Sequence, residues 1–381
     1  MNEPKAARYQ RLIRRARAAH LVGGAVLLAV LALTPVARQL SDWAVAAGQW
    51  FPAFLAPAAA TTAFVAIVVV LWELTAVPVV LYLALNVERR FGRAELSAGG
   101  VILSHARGAW MAGAAALTIA AVVAVSTWAM GDFWWVGAGA LSTLALAAAV
   151  RMLPIVLPGM LESRPIARPS LMSGLREIAR HSGVPISDIR EWRVEEDARA
   201  TALVAGVGKT RRVFVASSIL REWSDDEIAV VVAHELAHHV HQDLWRALAL
   251  NAAVLSGAFW MAGAAIGRWS GVLGLAGLGD LAALPLLALV AGGAWLVATP
   301  VRFAQSRAQE RRADRFALTL TGEAAAFGAA VRRLSERHLV EDQPSKLARW
   351  LFYRHPSVAE RLAMAEQFAK AENLAATSSA R

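Results

Sequence analysis

Cysteine is absent from all 381 residues. No disulfide framework can form, and zinc cannot be thiolate-bound. Charge is sparse as well: 18% of residues are charged against 57% hydrophobic, and the mean hydropathy is +0.45. Several apolar runs approach the ~20 residues needed to cross a bilayer, which excludes an ordinary soluble domain. Lysine occurs only at Lys5, Lys209, Lys346 and Lys370, so the net charge of +10 rests on arginine. In a soluble protein that balance suggests nucleic-acid binding; in a membrane protein it marks loops on the cytoplasmic side. We adopt the membrane reading and expect no nucleic-acid partner. Internal repeats and low-complexity linkers are also missing.

The first 17 residues hold Lys5, Arg8, Arg11, Arg14, Arg15 and Arg17, followed by an apolar run from Ala18 to about Ala37. Its length favours a retained span over a cleaved signal peptide. Residues 38–57 read as a short connection with Trp43, Trp50 and Phe51 as interfacial anchors. A second span is expected over Ala58 to Val87, interrupted by Glu73 and Pro78. An acid at that depth is either paired inside the bundle or lines a hydrated cavity. Third and fourth spans follow over about 109–130 and 133–157, joined by a turn at Gly131-Asp132.

Residues 160–233 change character, with mixed charge, prolines and short alternating runs. Leu171 to Ser182 reads as an amphipathic helix, and Trp192–Glu196, Ala202–Val207 and Arg212–Ser217 as strands, the last two forming a hairpin. The Gly206-Val207-Gly208-Lys209-Thr210 run lacks the four-residue spacing of a phosphate-binding loop and precedes a strand. Fifth and sixth spans are expected over Leu244–Gly267 and Val272–Thr299, with Asp280 between or within them. Helices follow over 301–320, 324–337 and 359–371, then a disordered tail over 372–381. Arg and Lys gather in alternate loops, which predicts an even number of spans with both termini cytoplasmic.

The informative stretch is Ser224 to Arg246, SDDEIAVVVAHELAHHVHQDLWR. Ser224 with Glu227 makes a capping box, and Trp223 with Ile228 a hydrophobic staple. His234 and His238 then share one helix face a turn apart, able to grip one metal ion, with Glu235 beside them. His239 and His241 point elsewhere and read as solvent or packing residues. Catalytic zinc takes three protein ligands and keeps a fourth position open. The continuation HExxHxxGxxH is missing, since His241 and Leu244 stand where Gly and His are required. The third ligand is therefore sought on a later helix, where Glu310 and Asp314 lie at i, i+4. Glu310 can bind metal while Asp314 holds a ligating imidazole from behind. In this reading Glu235 is the general base.

These residues resemble the type I CAAX prenyl endopeptidases and their bacterial membrane relatives. The resemblance rests on His234-Glu235-Leu236-Ala237-His238, on Glu310 with Asp314, and on Val87-Glu88-Arg89-Arg90-Phe91-Gly92. It rests further on the hairpin from Ala205 to Arg212 and on His355-Pro356-Ser357-Val358-Ala359-Glu360-Arg361-Leu362. It implies that His355 stabilises the oxyanion of the tetrahedral intermediate and that Arg361 holds the site together. It also implies that a substrate strand pairs along Thr201, Ala202, Val204 and Gly206. Thr201 stands where that family usually has Asn, and the six spans counted here differ from its seven.

The expectation is thus a mostly α, polytopic membrane protein of about six spans with a cytoplasmic α+β zincin-like domain containing a small hairpin sheet. Four spans occupy residues 1–158 and two occupy 244–299; residues 159–243 and 300–371 form the protease domain. One zinc ion per chain, a peptide or protein substrate (membrane-bound or lipidated ones among the options) and the bilayer are the expected partners. The competing expectation is a membrane scaffold or transporter with a structural metal site, motivated by Glu73 and Asp280.

Overall fold

Proline and glycine punctuate the apolar runs, and the helices break where they stand. The computed structural model describes residues 4–92, 97–160, 163–193, 202–206 and 208–379. Helix α1 (Lys5–Leu33) stops before Pro35, and α2 (Val36–Gly48) begins just after it. The expected connection over 38–57 is therefore largely helical. Ala37, Leu40, Ser41 and Ala44 bury one face of α2 at helical spacing. Trp43, Trp50 and Phe51 remain 68%, 90% and 54% exposed.

Helix α3 (Ala56–Leu81) carries Pro78 in its last turn and passes into a π-helical turn, Tyr82–Glu88. A proline cannot donate its own rung of the helical ladder, which favours such local rewinding. Helix α4 (Ala98–Met130) starts at the Ser97 cap, and a 3₁₀ turn at Gly131–Phe133 separates it from α5 (Trp134–Met160). Gly131 sits at φ 51°, where a side chain would be strained.

Next comes strand β1 (Ser163–Pro165), then α6 (Pro169–His181), β2 (Asp188–Trp192), β3 (Ala202–Ala205) and β4 (Arg212–Ala216). The sheet order is β1-β2-β4-β3, with β2 parallel to β4 and the two outer strands antiparallel to their neighbours. The hairpin was legible; β2 ends where a strand was expected to begin, at Trp192, and Val194 to Glu196 lie outside the described residues. Gly206, at φ 108°, has room for no side chain, since a Cβ there meets the Thr210 carbonyl oxygen at 2.7 Å.

Helix α7 (Ser217–Glu222) leads to α8 (Asp225–Val240), which carries the HExxH residues. The capping box is formed: Ser224 Oγ accepts from the Glu227 N–H at 3.2 Å, and Glu227 Oε2 accepts from the Ser224 N–H at 2.9 Å. Ile228, Val232 and Leu236 are fully buried in a core with Leu175 and Ile219. Each such side chain contributes roughly 1.5–3 kcal/mol by burial.

The motif helix does not run on into the following apolar one. It ends at Val240, Gln242 adopts φ 55°, and α9 (Asp243–Leu273) starts anew. The expected sixth span is shorter than its apolar run. Gly274 and Gly277 adopt φ 65° and 114°, Asp280 caps a 3₁₀ turn over Leu281–Ala283, and α10 covers only Leu284–Val297. Helices α11 (Thr299–Thr321), α12 (Ala324–His338), α13 (Lys346–Phe352) and α14 (Val358–Ser379) complete the chain. Helix α14 continues through most of the tail expected to lack structure.

Among the described residues, Lys5–Leu33, Ala56–Glu88, Ala98–Ala149 and Asp243–Leu273 are long and apolar enough to cross a bilayer. Helices α10 and α11, bent by 44° at the break between them, pass the same test only as a pair, as a broken span or a re-entrant segment. The 3₁₀ turn divides the third into α4 and most of α5.

The chain forms two units. One comprises residues 11–145 and 250–299. Its core packs Trp134 against Phe259, with ring centroids 5.9 Å apart. The two acids that suggested a transporter are both committed there. Glu73 Oε2 lies 2.8 Å from His105 Nε2, and Asp280 Oδ2 lies 2.9 Å from Arg38 Nη2. The other unit comprises residues 1–10, 146–249 and 300–381 and holds the sheet, α8 and α11.

Ser224→Ala removes the cap of α8, with an expected loss of about 1 kcal/mol in a thermal unfolding series of the purified protein. Gln242→Gly, by contrast, is expected to hold or raise the midpoint, while Gln242→Val lowers stability by about 1–2 kcal/mol, because only glycine is at ease at that backbone angle.

Candidate metal centre and active site

Helix α8 presents His234 and His238 side by side, ring centroids 5.1 Å apart and nearly perpendicular. Helix α11 brings Glu310 against both. His234 Nε2 is 3.4 Å from Glu310 Oε2, and His238 Nε2 is 3.7 Å from Glu310 Oε1. One donor atom from each of the three residues lies within 4.8 Å of the others, and no other group of this kind occurs among the described residues.

Each imidazole is oriented from behind. His234 Nδ1 lies 2.9 Å from Asp314 Oδ1, and His238 Nδ1 lies 2.9 Å from Asp243 Oδ2. Both rings therefore turn Nε2 towards Glu310, the arrangement in which a carboxylate sets the tautomer of a metal-binding histidine. Asp314 is fully buried and is met by Arg361 through two hydrogen bonds, at 2.9 and 2.6 Å. The Arg361 guanidinium lies 5.6 Å from the centre of the Phe327 ring. Asp243, also buried, accepts from Arg312 at 2.8 Å through Oδ1, and its backbone carbonyl accepts from Gln309 at 3.2 Å.

Sequence reasoning missed Asp243 and Arg312. Asp243 follows His238 by five residues, a spacing that reaches back only because the chain turns at Gln242. No sequence signal marks that turn, which contains neither Gly nor Pro.

The electrostatics favour positive charge among these donors. Burial opposes protonating His234, yet the hydrogen bonds to Asp314 and Glu310 outweigh it and lift its pKa to about 10. Burial works to raise the Glu310 carboxyl, but hydrogen bonds from His234 and His355 hold it well below the usual carboxylate range. A site that supports a buried imidazolium between two carboxylates supports a divalent cation on the same donors, with release of that proton. Two imidazoles and one carboxylate suit zinc, and zinc fits here.

Glu235 is the residue whose carboxyl is pushed up. Burial is the main cause, with the neighbouring His234 and His238 charges opposing it. His355 Nδ1 lies 2.8 Å from Glu310 Oε2 on a side chain that is 66% exposed. It reaches the site from the segment between α13 and α14.

Of the two histidines read as bystanders, His241 packs edge-on against Phe316, centroids 5.8 Å apart. His239 has a defined task. Its Nε2–H donates to the Val204 carbonyl at 3.1 Å while Nδ1 accepts from Arg211 Nε at 3.1 Å. That bond ties β3 to the motif helix. Among the strand residues, Ala202 and Val204 belong to β3 and Gly206 follows it; Thr201 lies outside the described residues.

Comparison with known proteins agrees with this geometry. Residues 4–158 match the sequence model described as CAAX prenyl protease N-terminal, five membrane helices. The "Uncharacterized metalloprotease YhfN" of Bacillus subtilis is 29% identical over 208 residues, covering 53% of this chain and 49% of its own length. A "Protease HtpX homolog" of Bacteroides fragilis is 28% identical over 199 residues, covering 45% of this chain and 61% of its own. The chain thus spans about half to three-fifths of the length of these two curated relatives. The crystal structure of S. mikatae Ste24p superposes with a TM-score of 0.71 at 18% identity, covering 85% of this chain and 79% of that one, a likeness of fold. The apolar helices and that fold make this an integral membrane protein. Residues 165–369, just over half of the sequence, match the model of peptidase family M48, and the chain belongs to that family.

Proposed function

We propose that the protein is a zinc-dependent endopeptidase acting on membrane-associated peptides or proteins, with its site on the cytoplasmic side. The observation that carries this reading is the donor set of His234, His238 and Glu310, with a carboxylate behind each imidazole. Two histidines and one glutamate are the ligand set of hydrolytic zinc, whereas a structural site is normally closed by four protein ligands. The orientation is supported by the arginine-rich loops.

His234, His238 and Glu310 hold the ion in this account. A zinc ion held there would supply a Lewis acid, able to bring the pKa of water down to ~7. Glu235, whose carboxyl is pushed up by burial, stands beside the donor set as the general base that takes the proton of the attacking water and delivers it to the leaving amine. His355, exposed beside Glu310, offers a hydrogen bond to the carbonyl oxygen as it gains charge. Asp314 and Asp243 hold the two imidazoles, and Arg361 holds Asp314. Strand β3 is an outer strand, so a substrate can lie along Ala202, Val204 and Gly206 as an added strand. His239 keeps that strand against α8.

The curated relatives named above are described as a metalloprotease and a protease, with no substrate in those descriptions. Lipidated and misfolded membrane proteins are the two substrate classes considered, and the trap that follows separates them. Glu235→Gln is expected to keep one zinc per chain and to lower peptide cleavage at least 100-fold, as removal of a general base does. Zinc retained with undiminished cleavage contradicts the mechanism. Peptides captured by the Glu235→Gln protein and sequenced identify the substrate.

Asp243→Asn and Asp314→Asn are expected to weaken zinc binding about 10–100-fold each, measured by chelator competition, because each frees one ligand ring. An Asp243→Asn protein with unchanged zinc affinity assigns that residue to the α8–α9 turn alone.

A further inference from the structure

Helix α11 carries a second concentration of charge, one turn from Glu310 but outside the donor set. A concavity of about 690 Å³ is surrounded by Arg307 and Arg311 of α11 and by Lys346, Arg349 and Trp350 of α13. Glu360 supplies the sole carboxylate of the lining, so four cations face one acid. That acid is already engaged: Glu360 Oε1 accepts from Arg311 Nε at 2.5 Å, and Arg349 Nη1 is 4.0 Å from its other oxygen.

Arg307 is buried and donates only to backbone carbonyls, those of Arg349 at 3.1 Å and Tyr353 at 2.8 Å. Burial, and after it the charges of Arg311 and Arg349, pull its pKa below the ordinary arginine value. Lys346 is exposed and has no partner among the described residues. The arrangement has a surplus of positive charge that the protein itself does not neutralise.

The rim is equally unbalanced in the other sense. Leu347, Trp350 and Phe352 are 65%, 54% and 45% exposed on the seven-residue α13. A basic floor edged by exposed aliphatic and aromatic side chains has the composition of a lipid-facing surface. Cations meet headgroup phosphates there, while Trp and Leu enter the boundary of the acyl chains. An acidic peptide would satisfy the cations and leave the rim in water.

We propose that the α11–α13 surface docks on anionic phospholipid headgroups, with Arg311, Lys346 and Arg349 on the phosphates and Leu347, Trp350 and Phe352 in the interface. The surface is separate from the zinc donors, so the proposal stands or falls independently of peptidase activity.

The absence of cysteine gives a clean test. Leu347→Cys introduces a sole thiol for an environment-sensitive fluorophore in the full-length protein. The labelled protein is reconstituted in phosphatidylcholine bilayers with or without phosphatidylglycerol, each containing a lipid-borne quencher. Quenching is expected to increase with phosphatidylglycerol and to fall in about 1 M salt, where charges are screened within ~3 Å. Lys346→Ala and Arg349→Ala are each expected to lower the docked-to-undocked ratio roughly fivefold. Thermal unfolding midpoints show that the variants are folded, and the salt response of the unsubstituted surface decides the question if they are not. Equal quenching in both bilayers overturns the proposal. So does a label that responds in detergent to an acidic peptide or to inorganic phosphate and ignores lipid composition.

Discussion

A buried carboxylate behind each imidazole determines which ring nitrogen faces Glu310. Without Asp314 and Asp243, His234 and His238 could rotate or change tautomer, and the three donors would lose their common focus. The carboxylates are in turn held by cations, Arg361 on Asp314 and Arg312 on Asp243. Burying a lone carboxylate costs several kcal/mol, and a charged, well-formed hydrogen-bond pair offsets much of it. The site is thus a nested set of charges in which each layer is tolerable only because the next one is present.

That network needs rigid supports, and the chain supplies them from local rules. The capping box starts α8 at a defined residue, and the apolar face of Ile228, Val232 and Leu236 anchors it in the core. The motif face meets α11 through Val230 and Ala233, which pack with Ala317 and Leu318, and through the contacts of His234 with Glu310 and Asp314. The left-handed turn at Gln242 brings Asp243 back to the helix it has just left. A continuous helix would have carried that acid away from His238. His239 fastens the outer strand to the same helix, so that β3 and the His234–His238 pair share one reference frame.

The parts of the site that follow from helical periodicity were legible in the sequence. His234 and His238 at i, i+4, the Ser224 cap, and Glu310 with Asp314 at i, i+4 required only a helix of known pitch. Asp243 was not legible, because its role depends on one non-glycine residue at positive φ in a stretch without Gly or Pro. Similar reasons explain the fold-level differences. Periodicity extended the sixth apolar segment across Gly274 to Gly279, where the backbone angles end it, and Pro35 concealed α2 by looking like the end of one helix instead of a hinge between two. Strand β1 is three residues long and carries no pattern, and β2 could not be separated from the run that follows it. His355 and Arg361 came into view only by family resemblance; their sequence positions, 41 and 47 residues beyond Asp314, say nothing of proximity.

Helix α11 carries both the basic surface and the candidate third ligand. The helix emerges next to an apolar segment, presents a basic surface, and then presents Glu310 and Asp314. Under the proposed peptidase reading, substrates come to the bilayer and an extended segment lies along the sheet edge. All of this presumes that the donor set holds zinc. Zinc K-edge X-ray absorption of the purified protein tests that point most directly. The account predicts one zinc per chain with two imidazoles and a carboxylate oxygen at about 2.0–2.2 Å. A protein without zinc, or a zinc spectrum with fewer than two imidazoles that is unchanged by Glu310→Ala, contradicts it.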